Sequence, residues 1–207
     1  MAIIARASGD GQQRELPEAG THMAVCVQVI DIGTQETEWQ GKTVVQRKIL
    51  IGWELDTTDS EGEPFVQWQR YTLSLNERAS LRRDLENWRG RQFSADELEA
   101  FDLKNIMGKS CLLQIVHSPG KEGRTYANVS GVSALMKSQK PIKPTKPLVY
   151  FDLTDPDPDL FETFGDGLKK TILKSPEGAA WAAGGTKKSQ DAASDAPDDA
   201  GDDDIPF

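Results

Sequence analysis

Histidine and cysteine are scarce in this chain, two of each in 207 residues. Cys26, Cys111, His22 and His117 show no metal-ligand spacing, and two isolated thiols make no disulfide framework, so both are expected reduced and buried in a cytoplasmic protein. No apolar run is long enough to span a bilayer and no signal peptide is legible, so no membrane is expected. Neither the glycine loop that cradles nucleotide phosphates nor the dinucleotide fingerprint occurs. The histidines have no nucleophile near them in sequence. In Asp155-Pro156-Asp157-Pro158-Asp159 the prolines spread the carboxylates along an extended chain instead of converging them on a metal. No enzyme, cofactor or metal is therefore expected.

What is present is uneven charge. From Pro176 onward eight acids face two lysines, which puts −6 of the net −9 in the tail and leaves −3 for residues 1–175. An acidic total does not argue against a polyanion ligand when the acid sits on an arm apart from the body. That arm ends on Asp202-Asp203-Asp204-Ile205-Pro206-Phe207, three carboxylates running into an apolar hook. Pro206 limits the entropy lost on docking, Phe207 offers a ring for a pocket, and a terminal carboxylate suits a basic rim. Acidic tails usually only solvate a protein, but solvation gives no reason to finish on Ile-Pro-Phe. These six residues resemble the C-terminal tip of bacterial single-stranded DNA-binding proteins, which implies recruitment of replication and repair proteins.

The body reads as strands. Residues 1–21 form a polar arm. Ala24 to Ile32 is β-branched and closed by Gly33; after a loop carrying Trp39 come Val44 to Leu55, a turn, and Phe65 to Leu75. In the third strand Tyr71, Leu73 and Leu75 alternate with Trp68, Arg70, Thr72 and Ser74, and the first set is assigned to the core. The period then becomes helical: Asn76 is a candidate cap for Leu81, Leu85 and Trp88, with Gly90 as the stop, and Ser94 with Glu97 makes a capping box for a second short helix. Strands return at Cys111 to His117 and Arg124 to Ser130. Three strands, a helical connection and two strands predict a mainly β domain over residues 22–136, a five-stranded OB-fold Greek-key barrel. An open sheet carrying a helix gives the same string; the helix between strands three and four favours the barrel. Residues 137–149 read as a basic proline-spaced linker, 150–177 as an acidic, aromatic helical appendage with one helix over Leu160 to Lys174, and 178–207 as a disordered acidic tail.

Binding a single strand calls for cations along phosphates and aromatic faces for bases. Trp68 and Arg70 share the non-core face of the third strand. Arg47 and Lys48 are candidates of which only one faces that side; Trp39 and Lys42 lie in the first loop, and Tyr126 and Asn128 in the last strand. Trp53 and Trp88 fall on apolar periodicities and read as core. Arg82, Arg83, Arg89 and Arg91 read as the solvated face of their helix, paired with Asp84 and Glu86.

The runs Cys26 to Gln35, Arg70 to Leu75, Leu81 to Gly90, and Phe101 to Asn105 with Gly108 to Cys111, together with Lys174-Ser175-Pro176-Glu177, resemble phage-encoded OB-fold single-stranded DNA-binding proteins. The resemblance implies a non-enzymatic protein that coats single strands during replication and recombination. The expected partners are single-stranded DNA and, at the tip, replication and repair proteins, with self-association left open. The alternative is an OB-fold adaptor or inhibitor that competes for the host enzymes recognising such tips and has little DNA affinity of its own.

Overall fold

The structure, a computed structural model, describes residues 15–39, 41–120 and 124–184. β1 (Gly20–Trp39), β2 (Lys42–Thr58) and β3 (Pro64–Thr72) form an antiparallel meander. α1 (Ser80–Arg89), α2 (Ala95–Glu99) and a 3-10 turn (Leu103–Ile106) then lead to the hairpin of β4 (Ser110–Pro119) and β5 (Thr125–Ser133). The five strands are ordered β3-β2-β1-β4-β5, and the outermost two curl to within 8 Å of one another (Cα–Cα). The protein is thus mainly β, with a barrel-like sheet. A sixth strand was not expected. β6 (Val149–Phe151), at the junction of the supposed linker and appendage, joins β1 in parallel beyond the point where β4 has left it.

β1 is longer than its sequence suggests because Gly33 does not end it. With φ of 71°, Gly33 takes the left-handed conformation that an L side chain disfavours and sits in a bulge between Asp31 and Thr34, so the strand bends and continues to Trp39. Ala24, Cys26 and Val29 point to the concave face. There they meet Ile49, Ile51, Trp53 and Leu55 of β2, Tyr71 of β3, Cys111, Leu113 and Ile115 of β4, and Leu81, Leu85 and Trp88 of α1, all buried. Trp88 lies 6.0 Å from Trp53, and its Nε1 donates to the Ser110 carbonyl at 2.8 Å. Tyr71 Oη donates to Asp84 Oδ2 at 2.9 Å, tying α1 to β3. Burial pushes the Cys26 thiol up to about 12, and both cysteines are free and buried.

Two local expectations are corrected. Asn76 does not cap α1: the N-cap is Ala79, without a side-chain bond, and Asn76 contributes only its carbonyl to the Ala79 amide. Leu73 is not core: β3 has ended at Thr72 and the side chain is 40% exposed. The Ser94–Glu97 capping box and the left-handed Gly90 stop are both present.

A second core lies on the convex face. Ile30 and Ile32 of β1 are buried there with Phe151, Leu153, Phe161 and Ile172, and Leu50 and Trp181 pack against them. The single helix expected over Leu160 to Lys174 is two: α3 (Pro158–Glu162), capped by Asp157, and α4 (Asp166–Lys174), which begins after Gly165. α5 (Pro176–Gly184) then occupies residues assigned in part to the disordered tail and brings Trp181 to 4.9 Å from Phe161. Glu177 fastens this layer to β1, accepting from the Thr34 amide at 2.8 Å and the Thr34 hydroxyl at 2.5 Å, while a methyl group on Gly33 would collide with Ser175. Among the described residues no helix is long and apolar enough to cross a membrane.

Candidate nucleic-acid interface

Because directly opposed residues of an antiparallel pair share a face, the convex surface can be read as rows running across the strands. One row is Ser110 of β4, Val25 of β1, Glu54 of β2 and Val66 of β3; the next is Gln28, Gly52 and Trp68; the third is Ile30, Leu50 and Arg70; Lys48 and Thr72 follow. Successive rows lie about 7 Å apart, two residues along a strand.

Each row has a different cover. The first is crossed by the supposed linker, which is docked instead of free. Ser110 Oγ donates to the Ile142 carbonyl and accepts from its amide, each at 3.0 Å, and Glu54, only 3% exposed, accepts from the Thr145 amide and hydroxyl (both 2.9 Å) and from the Lys146 amide (2.8 Å). This strap explains why Val25, on the convex face, is fully buried. In the third row Ile30 and Leu50 lie under the helical appendage. Between the two covers stands Trp68, 39% exposed. Its ring lies on Gly52, where an added Cβ would be 3.1 Å from two ring atoms, so glycine makes the seat on which the indole is held.

Arg70 is exposed beside it, and the Lys48 ammonium donates to Gln46 Oε1 at 2.8 Å and Thr72 Oγ1 at 2.6 Å. Burial lowers the Lys48 pKa and the neighbouring charge of Arg70 lowers it further. Among the described residues neither cation is ion-paired with a carboxylate. Two cations side by side without a counterion, next to a held aromatic face, form a surface suited to an anionic chain of flat rings.

The other candidates lie on other strands, on the opposite face or at a hairpin tip. Arg47 faces the opposite way and is ion-paired with Asp31, its Nε also donating to Asp31 Oδ2 at 3.1 Å; that bond and the Asp31 charge raise its pKa. Tyr126 and Asn128 stand on β5, at the far end of the strand order. Tyr126 is 48% exposed with its ring against Gly120, and Asn128 Nδ2 donates to Ser118 Oγ at 2.7 Å. They form a second, smaller aromatic patch with Val116. Trp39 pairs with Lys42 at the tip of the β1–β2 hairpin; the Trp39 side chain and residues 202–207 lie outside the described residues.

The α1 arginines divide. Arg82 pairs with Glu86 and Arg83 with Asp84, both at 3.0 Å, as expected. Arg89 is buried instead of solvated: it is ion-paired with Glu97 and lies over the Phe93 ring, 4.4 Å from its centre. Arg91 also pairs with Glu97, at 2.8 Å. Among the described residues no three of His, Cys, Asp and Glu come together as metal ligands.

What the sequence missed is the seat and the frame. Gly52 inside an apolar strand signals a close approach but not its partner, and the lysines at 137, 140, 143 and 146, one every third residue, signal an extended chain but not its docking. Compared with known proteins, the chain matches no family model and no curated protein.

Proposed function

We propose that this protein binds single-stranded DNA across the convex face of β2 and β3, through a curled sheet of the OB type, and acts by binding alone. The observation that carries the reading is Trp68, held open on Gly52 beside Arg70, with Lys48 in the row beyond and neither cation ion-paired with a carboxylate among the described residues. Strand order, with β1 shared between the β2 and β4 pairings, also supports an OB arrangement. The resemblance of the body to phage single-stranded DNA-binding proteins adds a setting in replication and recombination in the bacterial cytoplasm. The tip resemblance adds recruitment of host enzymes through Phe207.

Titrating oligo-dT and following tryptophan fluorescence tests the first part. Binding is expected to prefer single strands over duplex and to weaken steeply with salt. Trp68→Ala is expected to cost about 1–3 kcal/mol of binding with the melting temperature unchanged. Equal affinity for duplex, or a large thermal loss in the variant, sinks the reading. For the tip, a chain ending at Pro206 is expected to lose host proteins that the full chain retains in a pull-down while keeping its DNA affinity; identical captures would leave the tip a solvating end.

A further inference from the structure

Among the described residues Arg47, Arg82, Arg83, Arg89, Arg91, Lys146 and Lys169 are each ion-paired. Lys137, Lys140 and Lys143 of the strap and the adjacent Lys109 are exposed and, like eight other lysines and arginines, Lys48 and Arg70 among them, meet no carboxylate there, but these four lie together along the strap. The strap is not held by these lysines. Its anchors are Ile142 on Ser110 and Thr145 on Glu54, three residues apart, while Lys140 and Lys143 precede and follow the first of them. Three residues is one turn of an extended polyproline-type chain, about 9 Å of rise, so side chains at that spacing repeat on one side. The anchors hold the strap to the sheet largely through its backbone, and the Lys140 and Lys143 side chains are left exposed. Two acids bond to the strap away from these lysines: the buried Glu54 accepts from strap amides and the exposed Glu63 is paired by Lys146 at 3.0 Å.

We infer that the strap is a phosphate-binding rail that carries the single strand away from Trp68, giving the protein a longer footprint than its aromatic face alone. This rests on the reading of Trp68 as the stacking site. The anchors place the strap along the row Ser110–Val25–Glu54, about 7 Å from the row of Trp68. Because residues 146–148 lead back from Glu54 on β2 to Val149 beside Gln28 on β1, a strand that stacks one base on Trp68 and continues across the sheet passes over this part of the chain to reach Lys143, then Lys140.

The test is K140Q/K143Q in the full chain, which leaves Ile142, Thr145 and Trp68 in place, with unchanged melting as the control for docking. Binding of a long fluorescein-labelled oligo-dT is read by anisotropy over a salt series, with tryptophan quenching read in parallel. The plot of log K against log salt is expected to become shallower by about 0.7 per lysine removed, close to 25-fold weaker binding at 0.1 M salt for the pair. K140R/K143R is expected to restore the wild-type slope, and Trp68→Ala to weaken binding without changing it. Unchanged slope and affinity in K140Q/K143Q overturn the rail and leave the Trp68 reading standing. Loss of binding in K140Q/K143Q with no response to Trp68→Ala keeps the strap as the binding element and overturns Trp68. Absence of any binding by the wild type overturns both.

Discussion

The two hydrophobic cores share one strand and differ in almost everything else. The concave core is enclosed by five strands and α1, drawn from one stretch of chain apart from Tyr150, and it is sealed by Trp88 with Trp53. The convex core is a patch on the back of β1 and β2, covered by β6 and three short helices and fastened at its edge by Glu177 on Thr34. The difference separates what makes the fold from what shapes its surface. The concave core is needed for there to be a sheet; the convex one decides which part of that sheet remains open, and it stops one row short of Trp68.

Breaking the concave core is the largest effect expected. Trp88→Ala removes a fully buried ring and its bond to Ser110 and is expected to cost about 3–5 kcal/mol, melting both cores together because β1 belongs to each. Phe161→Ala deletes a ring of similar burial from the convex core, but its effect is limited by local release of the helices. Thermal unfolding should then show an early transition in which the Trp181 environment changes while that of Trp88 persists. A single transition lowered as far as in Trp88→Ala would mean that the two cores are one cooperative unit.

Acid sharpens the comparison with a smaller effect, because beside each core stands a carboxylate whose hydrogen bonds lower its pKa. Bonds from Arg91 and the Ser94 amide, helped by Arg89, hold Glu97 down to about 2. For Glu177 burial acts upward, but the Thr34 hydroxyl and amide outweigh it and the pKa is lowered. A carboxylate whose folded pKa is depressed contributes stability above its unfolded value and loses it as pH falls through the folded one. Both sets of bonds are thus whole at neutral pH and fade below the ordinary carboxylate range, that of Glu97 persisting to about pH 2. Glu97→Gln and Glu177→Gln should each flatten part of the fall in melting temperature with acidification. If neither changes it, these bonds are not what acid breaks.

The concave core was largely legible in sequence, because alternation and helical spacing mark Tyr71, Leu81, Leu85 and Trp88 whatever lies around them. The convex core was not. Ala24 to Ile32 is apolar on both faces, so nothing local distinguishes Ile30, which needs a cover, from Val29, which already has one. Trp68 was placed on the open side by its polar neighbours, yet the same alternation misassigned Leu73, where the strand has stopped and the period no longer applies. Arg47 and Lys48 were separable only as alternatives, and the bulge at Gly33 places Arg47 with Asp31. Arg89 read as solvated because its partner, Glu97, belongs to the next helix and not to its own.

β6 is three residues long and faces both ways. Tyr150 turns to the concave core beside Val29, and Phe151 turns to the convex core beside Ile30. Strand registers do not slip gradually: one residue added or removed between Thr145, clipped to Glu54, and Val149 would exchange the two rings between cores and send a phenol into a wholly apolar one. Proline-spaced connections ordinarily tolerate changes of length. This one behaves as a ruler, whose spacing the two cores read from opposite sides.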